Sequence, residues 1–327
     1  MRAPSAPIEL IRTLADGQWH SGETLARALG VSRTAVWKRL RELESLGLEL
    51  HKLTGRGYRL ARPLELLEAP RIERELAPAR LARLEALDVL PFTDSTNRVL
   101  IEGRAQRALC FAEHQSAGRG RRGRSWVSPF GANLYFSAVW SFATEPAALA
   151  GLSLAVGVGL ASLLRDLGCK DHGLKWPNDL YWRGQKFGGV LIEHRGEAGG
   201  PWRVVVGVGL NLAMSERQAQ AVGQPWTSLA GIYAAQSAAM PGRNQLAGRC
   251  ADALLAVLER FAAEGFAPFR KAWAEFDLAQ DERVRIEDGG RVQEGRACGI
   301  DGDGALLVQI AGERRRFVSG EISLRLA

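Results

Sequence analysis

The chain has 327 residues, four cysteines and a formal net charge of +7; 46% of its residues are hydrophobic and 24% are charged. This length suits two or three domains, and the composition is ordinary for a soluble globular protein. The cysteines are widely spaced without a Cys-x-x-Cys motif, which argues against a zinc site or a disulfide framework and predicts a cytoplasmic protein.

Residues 1–62 are predicted to form a winged helix-turn-helix domain. Apolar residues at helical spacing predict three helices, with Ser21 and Ser32 as N-caps of the second and third and Gly30 at the end of the second. A short second helix, a tight turn and a polar, basic third helix form the helix-turn-helix signature. Alternating leucines around a turn at residues 54–57 predict a β-hairpin after it.

The charge of this region favours binding to DNA. Its eleven Lys and Arg against six Asp and Glu place +5 of the net +7 in the first fifth of the chain. The alternatives are a small helical domain that contacts proteins and a vestigial module. The residues expected to contact duplex DNA, from the third helix and the hairpin turn, are Ser32, Arg33, Thr34, Lys38, Arg39 and Arg56.

Two further units are predicted after a linker at residues 61–70, which contains two prolines. In residues 71–275 strand and helix patterns alternate irregularly, which predicts a mixed α+β domain with helices over residues 146–167 and 245–276. In residues 276–327, short strand patterns separated by glycine-containing turns predict a small β-barrel.

One apolar stretch is compatible with a core helix or with a membrane span. Residues 146–164 carry no charge over a length close to that needed to cross a bilayer. They include three glycines, two serines and several alanines, and Pro146 suits the first turn of a helix. We therefore expect a buried core helix and no membrane association. The first ten residues lack the long apolar run of a secretory signal.

The most informative segment is Gly-Arg-Gly-Arg-Arg-Gly-Arg-Ser-Trp at residues 118–126, here called the glycine–arginine segment. Glycines permit close backbone approach to a ligand, and arginines add fixed charge and forked donors, so the segment predicts a mobile clamp for an anion such as phosphate. The letters also fit G-x-G-x-x-G, but a dinucleotide-binding fingerprint must open a helix, which residues 125–131 cannot form. A solvated basic loop or a nucleic-acid tether is the alternative.

Four other motifs accompany this segment. Asp94-Ser95-Thr96-Asn97 precedes it, and Lys-Trp-Pro-Asn-Asp-Leu at 175–180, Gly-Gln-Lys-Phe-Gly-Gly-Val-Leu-Ile-Glu at 184–193 and Gly-Val-Gly-Leu-Asn-Leu at 207–212 follow. In this order, the set resembles the biotin–protein ligases, from residue 8 to residue 325. The N-terminal part makes the chain similar to the bifunctional class, which also represses the biotin operon.

The resemblance implies a fold, a reaction and partners. The central domain would be similar to class II aminoacyl-tRNA synthetases, and the C-terminal barrel would be SH3-like. With ATP and Mg²⁺, biotin would become biotinyl-5′-AMP, and the biotinyl group would pass to a lysine of the biotin carboxyl carrier protein of acetyl-CoA carboxylase. As a homodimer, with biotinyl-5′-AMP as corepressor, the protein would bind the biotin operator.

The resemblance also implies roles for individual residues. Catalysis is assigned to Arg121, Lys186 and Asp179, with Asp179 a candidate to take the proton of the incoming lysine. Biotin contacts are assigned to Ser95, Thr96, Asn97, Gln115, Arg119, Gly120, Arg121, Lys186 and Gly189. Nucleotide contacts are assigned to Arg122, Arg124, Trp126, Asn178, Asn211, Trp226 and Arg325.

Elementary chemistry agrees with this set. A biotin carboxylate is already ionised at neutral pH, so its attack on ATP requires neutralisation of charge rather than a general base, and arginines on glycine hinges would supply it. Structural roles are the alternatives: a helix N-cap for residues 95–97, a surface turn for Lys186 and a core position for Trp226. Ser125 departs from relatives that can carry a basic residue at this position.

Two other functions are weighed against this one. A lipoate–protein ligase shares the central fold and the adenylation chemistry, but the glycine–arginine segment and the DNA-binding region argue against it. A ligand-responsive transcription factor without catalysis would not need Arg121, Lys186 and Asp179 together.

Overall fold

The computed structural model describes residues 6–143, 149–196, 201–288, 291–318 and 322–326. Its N-terminal part is a winged helix-turn-helix, as predicted. The Ser21 hydroxyl accepts a hydrogen bond from the Thr24 amide at 3.0 Å, and the Ser32 hydroxyl accepts one from the Ala35 amide at 3.2 Å. The elements are α1 (Ala6–Leu14), α2 (Gly22–Ala28) and α3 (Arg33–Ser45), followed by the antiparallel hairpin of β1 (Leu50–Leu53) and β2 (Gly57–Leu60).

The small N-terminal core extends into the central domain. Val36, Leu40 and Leu43 of α3 are buried against α1, because they recur at i, i+4 and i+7 on one helix face. Phe130, which lies beyond the glycine–arginine segment, is completely buried in the same cluster. The winged helix-turn-helix therefore packs directly against the central domain.

The centre of the molecule is a seven-stranded sheet in the order β3-β4-β5-β9-β8-β7-β6, in which only the β3–β4 pair is parallel among the described strands. Helices α7 (Leu152–Asp166) and α9 (Arg243–Glu264) cover one face through the main hydrophobic core. Helix α6 (Thr96–Glu102) covers part of the other face. The strands are β3 (Ala86–Leu90), β4 (Ala108–Ala112), β5 (Leu134–Phe142), β6 (His172–Lys175), β7 (Asp179–Trp182), β8 (Gln185–Arg195) and β9 (Trp202–Leu210).

The helices of this part differ from the sequence expectation in one place. The run predicted over residues 245–276 is two helices, because Gly265 adopts a left-handed φ of 67° that ends the first of them. The helices are α4 (Ala69–Glu73), α5 (Pro78–Leu81), α6 (Thr96–Glu102), α7 (Leu152–Asp166), α8 (Leu229–Ala235), α9 (Arg243–Glu264) and α10 (Arg270–Phe276).

Helix α7 is the apolar stretch whose length is also compatible with a membrane span. Ten of its residues are buried, which makes it a core helix as predicted. Pro146, the expected first turn, lies outside the described residues, and the helix begins at Leu152. Across the described ranges, no helix is both long and apolar enough to cross a membrane.

The C-terminal part is a five-stranded antiparallel sheet in the order β13-β12-β11-β10-β14. The Trp176 indole N–H donates to the Gly304 carbonyl at 3.0 Å, and the Leu278 amide donates to the Leu174 carbonyl at 3.0 Å. The first bond attaches the C-terminal part to the region after β6, and the second attaches the segment that precedes β10 to β6 itself. The strands are β10 (Arg283–Asp288), β11 (Arg291–Ile300), β12 (Leu306–Ile310), β13 (Glu313–Phe317) and β14 (Ile322–Leu326).

The predicted linker is held against the central domain. The Leu67 amide donates to the Glu113 carboxylate at 2.6 Å, and the Arg243 amide donates to the Glu65 carboxylate at 2.6 Å. Glu113 also forms an ion pair of 2.5 Å with the Arg243 guanidinium, and both side chains are less than 10% exposed. Because these groups are buried and paired, this connection is fixed rather than free to swing.

Candidate active site

A cavity of about 780 Å³ lies on the α6 side of the central sheet, a size typical of ligand sites in proteins. It brings together sixteen of the predicted catalytic, biotin and nucleotide residues. These lining residues are Ser95, Thr96, Asn97, Gln115, Arg119, Gly120, Arg121, Arg122, Arg124, Trp126, Asn178, Asp179, Lys186, Gly189, Asn211 and Trp226. The remaining residue, Arg325, pairs through its backbone with Arg285 of β10, and its side chain lies outside the described part of the structure.

The floor of the cavity is built on the N-terminus of α6. The Ser137 hydroxyl of β5 lies 2.6 Å from Asn97 Oδ1 and 2.7 Å from Thr96 Oγ1. Gln115 accepts a hydrogen bond from the Thr96 amide at 2.9 Å. Ser95 occupies the N-cap position, but its side chain makes no capping hydrogen bond within the described residues. Its hydroxyl is therefore not used as the helix cap that was the structural alternative.

Glycines in the central strands allow side chains to lie flat on the sheet. A Cβ at Gly207 would overlap the amide of Asn97, and a Cβ at Gly209 would lie 2.5 Å from Cε2 of Trp126. The indole N–H of Trp126 is buried and has no acceptor among the described residues. These glycines thus make room for the Asn97 amide and the Trp126 ring against the sheet beside the cavity.

The glycine–arginine segment forms a tight turn over the cavity. Arg121–Gly123 is a single 3₁₀ turn in which Arg122 has a left-handed φ of 57°. The Gly120 amide donates to the Arg124 carbonyl at 2.7 Å, and the Trp126 amide donates to the Gly118 carbonyl at 2.9 Å. No α-helix follows directly in this described stretch, so the segment is not a dinucleotide-binding fingerprint.

Two side chains of this segment reach the sheet. Arg119 forms an ion pair with Glu193 of β8 at 3.2 Å, and Arg121 donates to Oδ1 of Asn178 at 3.4 Å. Burial lowers the pKa of Arg121, and the charges of Arg122 and Arg124 lower it further, against the opposing effect of Asp179. An anionic ligand would relieve this crowding of positive charge.

Lys186 stands near the start of β8, beside Asp179. Its ammonium lies 2.7 Å from Oδ1 of Asp179 and 5.5 Å from the centroid of the Trp126 ring. Both members of the ion pair are less than 20% exposed, so Lys186 is not a surface lysine. A Cβ at Gly189 would lie within 3.5 Å of both side chains, so the glycine lets the backbone approach them.

Trp226 reaches the cavity because its loop pairs with the start of β8. The Lys186 amide donates to the Pro225 carbonyl at 3.1 Å, and the Thr227 amide donates to the Lys186 carbonyl at 3.0 Å. Trp226 is half-buried and lines the cavity rather than the core. Asn211 lines it too, although its amide donates to the Thr227 carbonyl at 3.2 Å and so also holds this loop.

The sequence reasoning missed three polar residues of the site. Ser137 orients the α6 residues, Glu193 pairs with Arg119, and Tyr181 lines the cavity with a pKa raised to about 12 by burial and by Asp179. Glu193 ends one of the motifs that carry the resemblance, so its position was visible. Ser137 and Tyr181 lie inside apolar strand patterns that gave no signal.

The predicted DNA-contacting residues lie on α3 and in the hairpin turn, and they are exposed to different degrees. Ser32, Arg33, Thr34 and Lys38 on α3 and Arg56 in the hairpin turn are exposed, while Arg39 is half-buried. Trp37, also on α3, is 50% exposed and stacks with the Arg41 guanidinium at 5.1 Å. The first two turns of α3 and the hairpin therefore present a basic surface.

Three family models match successive parts of the chain. Models of the HTH domain, the Biotin/lipoate A/B protein ligase family and the Biotin protein ligase C terminal domain match residues 8–59, 89–211 and 281–325. The Bifunctional ligase/repressor BirA of Salmonella typhimurium is 41% identical over 332 aligned positions, covering 100% of both chains. The protein of that name from Escherichia coli is also 41% identical, covering 100% of this chain and 99% of its own.

Solved structures agree with the sequences. The biotin protein ligase from Aquifex aeolicus in complex with biotin and ATP superposes with a TM-score of 0.62 at 26% identity, covering 75% of this chain and all of that one. A mutant of that ligase in complex with biotin gives a TM-score of 0.63, also at 26% identity, and covers 74% of this chain and 99% of its own. With relatives 41% identical over its full length, the chain belongs to the family of bifunctional biotin ligases and repressors.

Proposed function

We propose that this protein is a biotin–[acetyl-CoA-carboxylase] ligase and a DNA-binding repressor of biotin synthesis. The observation that carries the enzymatic part is the single cavity in which the glycine–arginine segment, Lys186, Asp179 and the polar end of α6 face one another. The relatives of the same length, which bear both activities in their names, support the pairing of ligase and repressor.

In the first step, an oxygen of the biotin carboxylate attacks the α-phosphorus of ATP, and pyrophosphate leaves. Two anions must approach each other, so catalysis consists of charge neutralisation and positioning. Arg121 and Lys186 both line the cavity, and each is partly withdrawn from water. Lys186 contacts the biotin carboxylate and then the adenylate phosphate, taking the anion in place of its present partner Asp179.

In the second step, the lysine amine of the carrier protein attacks the biotinyl carbonyl, and AMP leaves. The amine must first lose a proton, because an ordinary lysine is protonated at neutral pH. Asp179 is the carboxylate beside the reacting phosphate and is our candidate to accept that proton once Lys186 has moved to the phosphate.

ATP enters with Mg²⁺, which suits this donor set. The described residues contain no group of three or more His, Cys, Asp or Glu side chains that could hold a metal ion by themselves. Mg²⁺ commonly binds through substrate phosphates with only one or two protein oxygens. Asp179 and the amide oxygen of Asn178 line the cavity and would provide them; the ion would neutralise phosphate charge.

The repressor is proposed to be a homodimer that binds a palindromic biotin operator, with biotinyl-5′-AMP as corepressor. Strand β8 pairs with β9 along residues 190–195, but its pairing with β7 ends at Gly189. Beyond Gly189, the other edge of β8 therefore has no strand partner among the described residues. Such an edge can pair with a second copy of the chain.

We place the protein in the cytoplasm, with its four cysteines reduced.

The decisive experiment incubates the purified protein with ATP, Mg²⁺, a carrier domain of acetyl-CoA carboxylase, and either labelled biotin or labelled lipoate. We expect label from biotin, but not from lipoate, on the carrier lysine, together with biotin-dependent release of pyrophosphate. Transfer of lipoate would support a lipoate–protein ligase. Biotin binding without pyrophosphate release would support a sensor without catalysis.

A further inference from the structure

Glu193 connects the floor of the cavity to the segment that covers it. This side chain of β8 is 29% exposed and lies on the same sheet face as α6. Its Oε1 is 3.2 Å from Nη1 of Arg119, and its Oε2 accepts a hydrogen bond of 2.7 Å from Nδ2 of Asn97. One carboxylate thus contacts two residues that belong to different parts of the site.

On the floor, Glu193 fixes the direction of the Asn97 amide. Asn97 Nδ2 donates to Glu193 and, at 3.4 Å, to the Leu191 carbonyl, while Asn97 Oδ1 accepts from the Ser137 hydroxyl. A carboxylate can only accept, so a flipped amide would place two acceptors together. Asn97 therefore presents its carbonyl oxygen in one defined direction, as a group that recognises ligand N–H donors requires.

Over the cavity, Glu193 holds the glycine–arginine segment through Arg119. The backbone of this segment contains three glycines, and its arginines reach the sheet through the ion pair of Arg119 and the hydrogen bond of Arg121. A second anchor, from Arg121 to Asn178, is longer at 3.4 Å and holds the start of the turn. The ion pair of Arg119 is partly exposed, 44% on the arginine side, so its individual contribution is modest.

We propose that Glu193 is a positioning residue for biotin. It holds Asn97 and Arg119 in fixed positions relative to each other. The contacts to the ureido ring and the glycine–arginine segment over the cavity are therefore organised together before the ligand binds. This inference rests on the proposed function, because biotin is the ligand that the two residues would share. It assigns no chemical step to Glu193.

The substitution E193Q separates the two contacts. The glutamine carbonyl still accepts from Asn97, whereas its amide N–H groups face the donors of Arg119 and cannot replace the ion pair. E193A removes both contacts. The control is E102Q, which removes the same charge from an exposed carboxylate that is paired with Arg98 at 2.8 Å on α6, outside the cavity.

Two measurements on the full-length protein test the proposal. Titration calorimetry without ATP should show biotin affinity reduced about three- to tenfold in E193Q and further in E193A. Trypsin should cleave ligand-free E193Q within residues 119–124 several times faster than wild type. Steady-state kinetics should show a raised KM for biotin, while kcat at saturating biotin and the KM for ATP change less than twofold. E102Q should match wild type throughout.

Wild-type biotin affinity and tryptic cleavage in E193Q would overturn the proposal. So would an equal effect on the KM for ATP, since that indicates general loss of structure. In an R119Q background, E193Q should have no further effect on biotin affinity, and an additive effect would also contradict it. If wild type itself fails to bind biotin, the proposed function fails, and the tryptic comparison still decides whether Glu193 holds the segment.

Discussion

At the scale of single residues, the two principal cations of the site, Lys186 and Arg121, have different partners and different neighbouring charges. Lys186 is neutralised by Asp179 at 2.7 Å, whereas Arg121 has a neutral hydrogen-bond acceptor and two like-charged neighbours. An incoming phosphate must therefore displace a carboxylate from Lys186, whereas no carboxylate among the described residues is in direct contact with Arg121 and Asp179 acts on it only from a distance. We expect Arg121 to favour binding of the polyanion and Lys186 to respond as negative charge shifts during the reaction.

Replacing either cation by alanine should slow biotinyl-5′-AMP formation about 100-fold or more, because a charge contact to the transition state is lost. Pyrophosphate release in single-turnover conditions measures this step directly. R104A and K170A are matched controls, since both side chains are exposed and neither lines the cavity. Wild-type rates in R121A and K186A would reject the assignment of the site.

His172 shows how burial makes stability depend on pH. Its ring nitrogens lie 2.9 Å from the Ala161 carbonyl oxygen and 3.1 Å from that of Cys169, and its ring stacks on Phe276. Protonation would give both carbonyls a donor, but burial is the larger effect and lowers the pKa of His172 below its usual value. The folded state therefore resists a proton that the unfolded state accepts near pH 6.5.

It follows that the contribution of His172 to the free energy of unfolding is complete above about pH 6.5 and is lost as the pH falls below this value. The free energy of unfolding, from urea titrations at pH 7.5 and 5.5, should fall with pH less in H172Q than in wild type. Exposed His51 provides the control substitution H51Q. Burial raises the pKa of Asp277, so this residue changes the free energy of unfolding with pH in the opposite direction. Because Asp277 is present in every variant, its effect cancels when the variants are compared. An unchanged pH dependence in H172Q would contradict the assignment.

At the scale of elements, the sequence predicts those features that depend on residues close to one another along the chain. Ser32 caps α3 because its acceptor and the Ala35 amide are three positions apart, and apolar spacing defines the buried face of that helix. Residue chemistry alone predicted an anion clamp in the glycine–arginine segment, whereas the roles of the other cavity residues came from the resemblance. Glu113 and Arg243 were missed because their partnership spans 130 positions, which no local pattern encodes.

The structure also corrects the helix predicted over residues 245–276, although Gly265 was a local signal for its end. Gly265 is the kind of residue that ends a helix, yet apolar periodicity continues through residues 266–276 and favours one long helix. Tertiary contacts decide the question: Phe266, Phe269 and Trp273 are buried in the main core only if the chain turns after α9. Packing, and not local spacing, sets the boundary.

The surface of α3 leads to a quantitative prediction for binding to DNA. Counterion release makes the logarithm of affinity fall linearly with the logarithm of salt concentration. K38A and R33A should each weaken binding to duplex DNA and make this slope shallower by about one. Fluorescence anisotropy between about 50 and 200 mM salt measures the slope, with R104A as the control. If the affinity of the wild-type protein for duplex DNA does not change with salt concentration, α3 does not bind the phosphate backbone.

At the scale of the whole molecule, polar and apolar contacts join the N-terminal part to the central domain. The Glu113–Arg243 pair fixes the connection to the N-terminal part, Phe130 enters the core of that part, and Gln218 donates to the Gly47 carbonyl at 2.9 Å. Phe130 lies only four residues beyond the glycine–arginine segment. A change of order in that segment therefore occurs beside the contact with the DNA-binding domain.

Removing one partner of a buried ion pair leaves an uncompensated charge, so E113A should destabilise the protein by about 3–5 kcal/mol. E9A breaks the exposed Glu9–Arg12 pair and should cost less than about 1 kcal/mol. Thermal and urea unfolding measure both. Similar effects of E113A and E9A would mean that the connection between the parts is not held by this pair.

The final prediction concerns the assembly. Ordering of the glycine–arginine segment by biotinyl-5′-AMP would stabilise β8 through Glu193, and the far edge of β8 is where we propose that a second copy pairs. Linkage then requires that the adenylate strengthen dimerisation and that dimerisation strengthen adenylate binding by the same factor, typically about 5- to 150-fold. The protein would repress while adenylate persists and cease when carrier protein consumes it. Sedimentation at fixed protein concentration, with and without biotinyl-5′-AMP, tests this coupling, and E193Q should reduce the shift. An unchanged monomer–dimer distribution would leave a ligase with a DNA-binding domain but without a biotin-sensing switch of this kind.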